Sequence, residues 1–139
     1  MTEAIASSIL TVETPGEGFT DITADVRRFA KQFKIQSGMV FLFMRHTSAS
    51  LTIQENADPD VLRDLMTALK GFAPEGAKYR HNSEGPDDMP AHIKTMLTSV
   101  TLHVPVIGGE LALGTWQAIY VIEHRSRPHR REIVLQALT

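Results

Sequence analysis

The chain contains no cysteine, which excludes disulfides and thiolate-ligated zinc or iron–sulfur centres. Any metal ion would be held by imidazole and carboxylate, donors that suit zinc, manganese, nickel, iron or magnesium. Long apolar runs are missing too. The longest, MVFLFM at residues 39–44, falls far short of the roughly 20 residues needed to span a bilayer. The start, MTEAIASSIL, has no basic segment followed by an apolar core and does not read as a secretion signal. These absences give a cytoplasmic expectation with no membrane partner. Charge of one sign is also lacking: 14 basic and 16 acidic residues leave a formal charge of −2. That argues against wholesale nucleic-acid binding. No Walker A loop, GxGxxG, nucleophile elbow or HExxH occurs.

What is present suits one domain, residues 1–139, long enough to bury a core without staples. Residues 5–13 predict a first strand, closed by the PGEG turn at 15–18. Ile22, Val26, Phe29, Ala30 and Phe33 recur at helical spacing behind a cap at Thr20 or Asp21. The run 39–44 is apolar throughout and predicts a strand buried on both faces. SLTIQE at 50–55 reads as extended, and Asp58-Pro59 as a helix start with Val61, Leu62, Leu65, Met66 and Leu69 as its buried stripe and Gly71 as its stop. A broken segment, 73–90, precedes a short helix expected over 91–97. The last forty residues hold four β segments, TLHVPV, ELAL, TWQAIYVIEH and REIVLQAL, of which the third is apolar on both faces and so central. Helices mixed with antiparallel strands predict an α+β domain with an antiparallel β-sandwich core and two to three helices.

Candidate chemistry gathers on a few segments. HNSEGPDDMPAH, residues 81–92, is bracketed by His81 and His92 and carries Glu84, Asp87 and Asp88. Eleven residues is not the i, i+4 spacing of two ligands on one helix, so this is either a solvated acidic loop or a site closed by the turn at Gly85, Pro86 and Pro90. Asp87 and Asp88 are then ligands or acceptors that orient an imidazole. His46 ends a strand and precedes Thr47, Ser48 and Ser50, small residues that let backbone N–H groups approach a phosphate; the alternative is a plain hydrogen-bonded turn. Glu55 lies before the Asp58 cap with no evident local role, which makes it a candidate ligand or general base. Arg125, Arg130 and Arg131 lie in EHRSRPHRR and offer guanidinium forks to a phosphorylated ligand, against the alternative of a charged hairpin tip.

Together, HTSASLTIQENADPDVLRDL, HNSEGPDDMPAHI and GGELALGTWQAIYVIEHRSRPHRR resemble the YjbQ family from about residue 16 to the end. Secondary thiamine-phosphate synthase activity is ascribed to that family. The resemblance implies a YjbQ-like homotrimer with a histidine-lined cleft at a subunit boundary. Its histidine positions fall on His46, His81 and His92, and its acidic ones on Glu55, Asp58, Asp87, Asp88 and Glu123. One departure stands out: where the family has Gly-x-Ser, this chain has Ser99 and Thr101. On this basis His46, His81 and His92 are expected to hold a divalent metal, zinc or another transition metal, with magnesium as the alternative. His46, Glu55 and Asp88 are expected to be catalytic. Thr47, Ser48, Arg125, Arg130 and Arg131 would bind the phosphates. The implied reaction joins a pyrimidine diphosphate to a thiazole phosphate and releases diphosphate. The alternatives are a metal-dependent hydrolase and a non-catalytic trimer that binds a metal or small phosphorylated metabolite.

Overall fold

The computed structural model describes residues 5–139; residues 1–4, which open the segment read above for a secretion signal, lie outside the described residues. In chain order the elements are β1 (Ile5–Thr14), β2 (Gly18–Asp21), α1 (Thr23–Gln32), β3 (Ser37–Met44), β4 (Ala49–Glu55), α2 (Pro59–Phe72), α3 (Asp88–Leu97), β5 (Thr101–Ile107), β6 (Glu110–Leu111), β7 (Gln117–Glu123) and β8 (His129–Leu138). They form a five-stranded sheet, β1-β8-β3-β5-β6, and a three-stranded sheet, β2-β7-β4. The strand pairs are antiparallel. This is the α+β fold expected from the mixed pattern.

The core lies where the two sheets and α1 meet. Val40, Leu42 and Met44 of β3, Ile133 and Leu135 of β8, and Val104 and Val106 of β5 face Leu51, Ile119 and Val121 of the smaller sheet, with Val26, Phe29 and Ala30 of α1 packed among them. β7 is central and buried from Ala118 to Glu123, as its two apolar faces predict. The β5–β6 hairpin turns through Gly108 and Gly109 at φ 58° and 79°. Glycine adopts two such values in succession at no steric cost, which suits Gly-Gly to this tight turn.

Several local expectations need adjusting. Asp21 does accept a bond from the Thr23 N–H at 2.8 Å, though α1 starts at Thr23 and Phe33 ends 39% exposed. β3 is buried on one face only, with Phe41 and Phe43 pointing outward. Asp58 caps α2 through the Asp60 N–H, as predicted, but the helix runs past Gly71 to Phe72 and no residue of its apolar stripe is fully buried. Leu65 and Leu69 instead sit above Phe19 and Ile122 around a cavity of about 110 Å³. The strand expected over 110–113 is cut to two residues, and β2 was not foreseen.

Candidate metal centre

The decisive local feature is where α3 begins. The helix expected from Ala91 starts three residues earlier, at Asp88, with Pro90 inside its first turn. A proline is tolerated in the first turn, where its missing N–H has no intrahelical acceptor. The earlier start places Asp88 and His92 at i and i+4, one above the other on the same face. The preceding loop folds back so that His81 meets them. His81 Nε2 lies 2.6 Å from Asp88 Oδ2, and His92 Nε2 lies 3.2 Å from the same oxygen. The two rings stand edge to face with centroids 5.4 Å apart. Glu84 adds a carboxylate oxygen 3.3 Å from His81 Nε2.

The second oxygen of Asp88 is held from the other side of the molecule. Arg125, in the β7–β8 connection, donates from Nη1 to Asp88 Oδ1 at 2.8 Å and from Nε to Asp87 Oδ2 at 3.0 Å. Its Nη2 reaches the Glu84 carbonyl at 2.9 Å, and the Ser126 N–H donates to Asp87 Oδ2 at 2.8 Å. Gly85, at φ 101°, lets the loop pass this clamp, because a Cβ there would meet Asp87 Oδ1 at 3.2 Å. Burial alone would raise the Asp87 carboxyl; Arg125 and the Ser126 N–H outweigh it and hold the group at about 2. Asp88 is likewise desolvated yet held below the ordinary range, by His81, then Glu84, then Arg125 and His92. The hydrogen bond to Asp88 raises the His81 imidazole, assisted by Glu84.

Two imidazole nitrogens and one carboxylate oxygen, all within 4.8 Å of one another, make up the cluster His81–Asp88–His92. In a tetrahedral zinc site neighbouring donors lie about 3.3 Å apart. The His92–Asp88 separation of 3.2 Å already matches this, and the 2.6 Å His81–Asp88 contact has to open by less than an ångström. The donor set fits a divalent transition ion. It leaves at least one coordination position free, as catalytic rather than structural sites do.

The other expected site residues lie elsewhere. His46 is not in the cluster: its Nε2 accepts a hydrogen bond from the Glu132 N–H at 2.9 Å. The ring borders a separate cavity of about 480 Å³ with Phe43 and Val100. Burial, then the Arg131 charge, lower the His46 pKa. Thr47 and Ser48 are engaged by protein: the Thr47 carbonyl accepts from Thr95 of α3 at 3.2 Å and Ser48 Oγ from Arg131 at 3.0 Å. Arg131 is buried and donates through Nε to Glu123 at 2.7 Å. Arg130 is exposed, 3.8 Å from Glu13. Of the three arginines expected to face a phosphate, one thus clamps the acidic pair and one is a core ion pair.

Glu55 accepts from the Asp58 N–H at 3.2 Å, a local role after all. It stands opposite Gln117, whereas Ala49 at the other end of β4 stands opposite Glu123, close to Arg125. The strand between them is about 20 Å long. In the GTWQ block, the Trp116 carbonyl accepts from Asn56 N–H and the indole is 63% exposed.

One buried histidine was missed. His124 is fully buried, its Nε2 lies 2.8 Å from Ser50 Oγ, and its Nδ1 has no hydrogen-bond partner among the described residues. Burial, reinforced by the Lys94 charge, pushes its pKa down to about 4. The imidazole is therefore neutral in the folded protein and protonates only on unfolding below its ordinary value of 6.5. Stability from this group is complete above about pH 6.5 and falls as pH drops toward about 4. His81, with its raised pKa, acts in the opposite sense. The expected contribution of His124 is a loss of about 2 kcal/mol between pH 7.5 and pH 5. Urea unfolding of wild type and His124→Gln at both pH values isolates it, since the variant should lack this part of the slope. Equal pH slopes would refute it.

An α+β sandwich carrying a two-histidine, one-carboxylate cluster at the start of a helix is the class that fold and site define. The chain belongs to the UPF0047 protein YjbQ-like family, whose model matches residues 8–139. It is 46% identical over 128 residues to a UPF0047 protein of Synechocystis sp., covering 91% of this chain and 87% of that one. It is 40% identical to YjbQ of Salmonella typhimurium, covering 90% and 91% of the two chains. An uncharacterised yjbq/upf0047-family protein of Clostridium acetobutylicum superposes with a TM-score of 0.84 at 36% identity, over 91% of this chain and 97% of that one. A YbjQ-like protein of unknown function from Sulfolobus solfataricus has a TM-score of 0.91 over 99% of both chains; at 24% identity it speaks for the fold alone. No helix of the described residues is long and apolar enough to cross a membrane.

Proposed function

We propose that the protein is a metal-dependent enzyme acting on a small phosphorylated metabolite, with the ion held by His81, Asp88 and His92. The observation that carries this reading is the N,N,O donor set converging within 4.8 Å. Zinc, or another transition ion, suits two imidazoles better than magnesium does. When bound, the ion supplies Lewis-acid charge to a substrate oxygen. Asp88 orients both imidazoles, and Arg125 fixes Asp88 by holding its second oxygen. Asp88 therefore serves as ligand and anchor rather than as a free base.

Synthase chemistry of the thiamine-phosphate type is the finer form of this proposal. It needs cations for a leaving diphosphate. Arg125 and Arg131 are engaged with Asp87, Asp88 and Glu123, which favours metal-assisted ester hydrolysis over diphosphate release. The test is calorimetric titration of chelator-treated protein with Zn²⁺, followed by turnover assays. The assays pair a pyrimidine diphosphate with a thiazole phosphate, and separately use simple phosphomonoesters. One ion per chain, and turnover lost on chelation, are expected. Failure of every divalent transition ion to bind at one per chain would sink the reading.

We also propose a homotrimer built on the outer face of the five-stranded sheet. Register places Ile5, Leu138 and Met39 in one row of that face, and Ile9, Val134 and Phe43 in another, with Phe41 between. Phe41, Phe43, Ile5, Ile9 and Leu138 are each more than 40% exposed in the single chain, an apolar patch of the kind that marks association. His46 shares its cavity with Phe43 at the margin of this face, where a second copy would approach it. Analytical ultracentrifugation should give about 46 kDa, three times 15.4 kDa. Phe41→Glu combined with Phe43→Glu should shift the protein to one chain; a wild-type monomer would refute the assembly.

A further inference from the structure

A cavity of about 530 Å³ opens beside His81, walled by residues of the loop between Gly76 and Pro86 and by Met89 of α3. Its volume lies in the range of small-molecule sites. Its wall has an unusual charge pattern for this acidic stretch. Glu75, Glu84, Asp87 and Asp88 all lie nearby in sequence, yet none lines it, and Lys78 is its only lysine or arginine. Much of the rest is apolar: Ala77, Pro86, Met89 and the ring of Tyr79, whose hydroxyl is turned to the Pro74 carbonyl at 2.8 Å. Asn82 adds one amide.

We propose that this cavity is the substrate pocket of the His81–Asp88–His92 site, and that it takes a ligand bearing one anionic group on a compact apolar body. The inference rests on the reading of that cluster as the reaction centre. Lys78 pairs with the anion. His81 shares that anion, so its ester bond meets the cluster, while Tyr79, Pro86 and Met89 cover the body. Lys78 is the one cation of the wall, so a second phosphate would lie against the apolar lining, and the pocket selects against a diphosphate. An aryl or alkyl monophosphate and a carboxylate of the same size share the required chemistry.

The probes are phenyl phosphate, benzoate, inorganic phosphate and diphosphate, each titrated calorimetrically into the full chain, with Zn²⁺ titrated separately. Phenyl phosphate should bind about tenfold tighter than inorganic phosphate, since only it buries an apolar body. Lys78→Met should lower phenyl phosphate affinity about tenfold and leave Zn²⁺ affinity unchanged. Ala77→Trp, which fills the cavity from an exposed position, should abolish phenyl phosphate binding with Zn²⁺ binding again intact. Benzoate binding as tightly as phenyl phosphate assigns the site to carboxylates; weaker benzoate binding assigns it to phosphomonoesters. Equal affinity for inorganic phosphate and phenyl phosphate, preference for diphosphate, or undiminished binding in Lys78→Met would overturn the proposal. Absence of Zn²⁺ binding alongside the expected aryl pattern would remove the metal reading while supporting the pocket.

Discussion

Asp88→Asn should weaken Zn²⁺ binding at least about 100-fold, the upper end of what loss of a merely orienting group costs. Asp88 is the one carboxylate of the cluster, and its Oδ2 is the point on which both imidazoles converge. An asparagine of the same shape keeps an oxygen but loses the charge. It also presents an amide to either the histidines or Arg125, whichever side the nitrogen takes. His92→Ala should cost a similar amount by removing a nitrogen donor, whereas Glu84→Gln, 3.3 Å from His81 Nε2 and outside the converging set, should change affinity little. Competition titration against a chromophoric chelator measures all three. Wild-type affinity in Asp88→Asn would show that the cluster is a hydrogen-bonded knot and not an ion site. Urea unfolding of the same variant separates binding from folding, because Arg125 keeps Asp87 as a partner.

The largest expected effect on stability is at Arg131. Its guanidinium and the Glu123 carboxylate are both buried between the two sheets, and Thr14 Oγ1 donates to the same carboxylate at 2.6 Å. Burial would raise Glu123, but Arg131, Thr14 and the Arg125 N–H together hold it below the ordinary range. Arg131→Met removes the cation and strands the charge, at an expected cost of about 3–5 kcal/mol. The double variant Arg131→Met with Glu123→Leu removes both charges and should recover most of that loss. Urea unfolding of single and double variants decides it. A single variant within about 1 kcal/mol of wild type would mean that the carboxylate is solvated or protonated at little cost.

The helical and strand periodicities were sufficient to place α1, α2 and most strands, because one apolar face per element is what the core requires. They misjudged β3, whose outward phenylalanines look like core residues in sequence and face outward in the single chain. At the site, the bracketing histidines were visible as a pair of side chains on a broken segment. The contact that joins them was hidden by Pro90. A helix starting after it, over 91–97, leaves Asp88 in a loop; with Pro90 inside the first turn, Asp88 and His92 become an i, i+4 pair. The arginines are ambiguous in sequence for a chemical reason: a guanidinium fork fits carboxylate and phosphate equally. Residue type could not reveal that Arg125 closes on Asp87 and Asp88, nearly forty positions away. His124 carried no sequence signal, since nothing in EHRS distinguishes a buried imidazole from an exposed one.

The Arg125 clamp would also temper the lifetime of an ion at the cluster. Asp88 spends one oxygen on a guanidinium, so the carboxylate that meets an ion is already half-neutralised. Its partial neutralisation would make Asp88 a weaker donor than a free carboxylate, with release faster than from the same cluster lacking Arg125. On the proposed reading, loading of His81–Asp88–His92 would then follow the free-metal level around the protein.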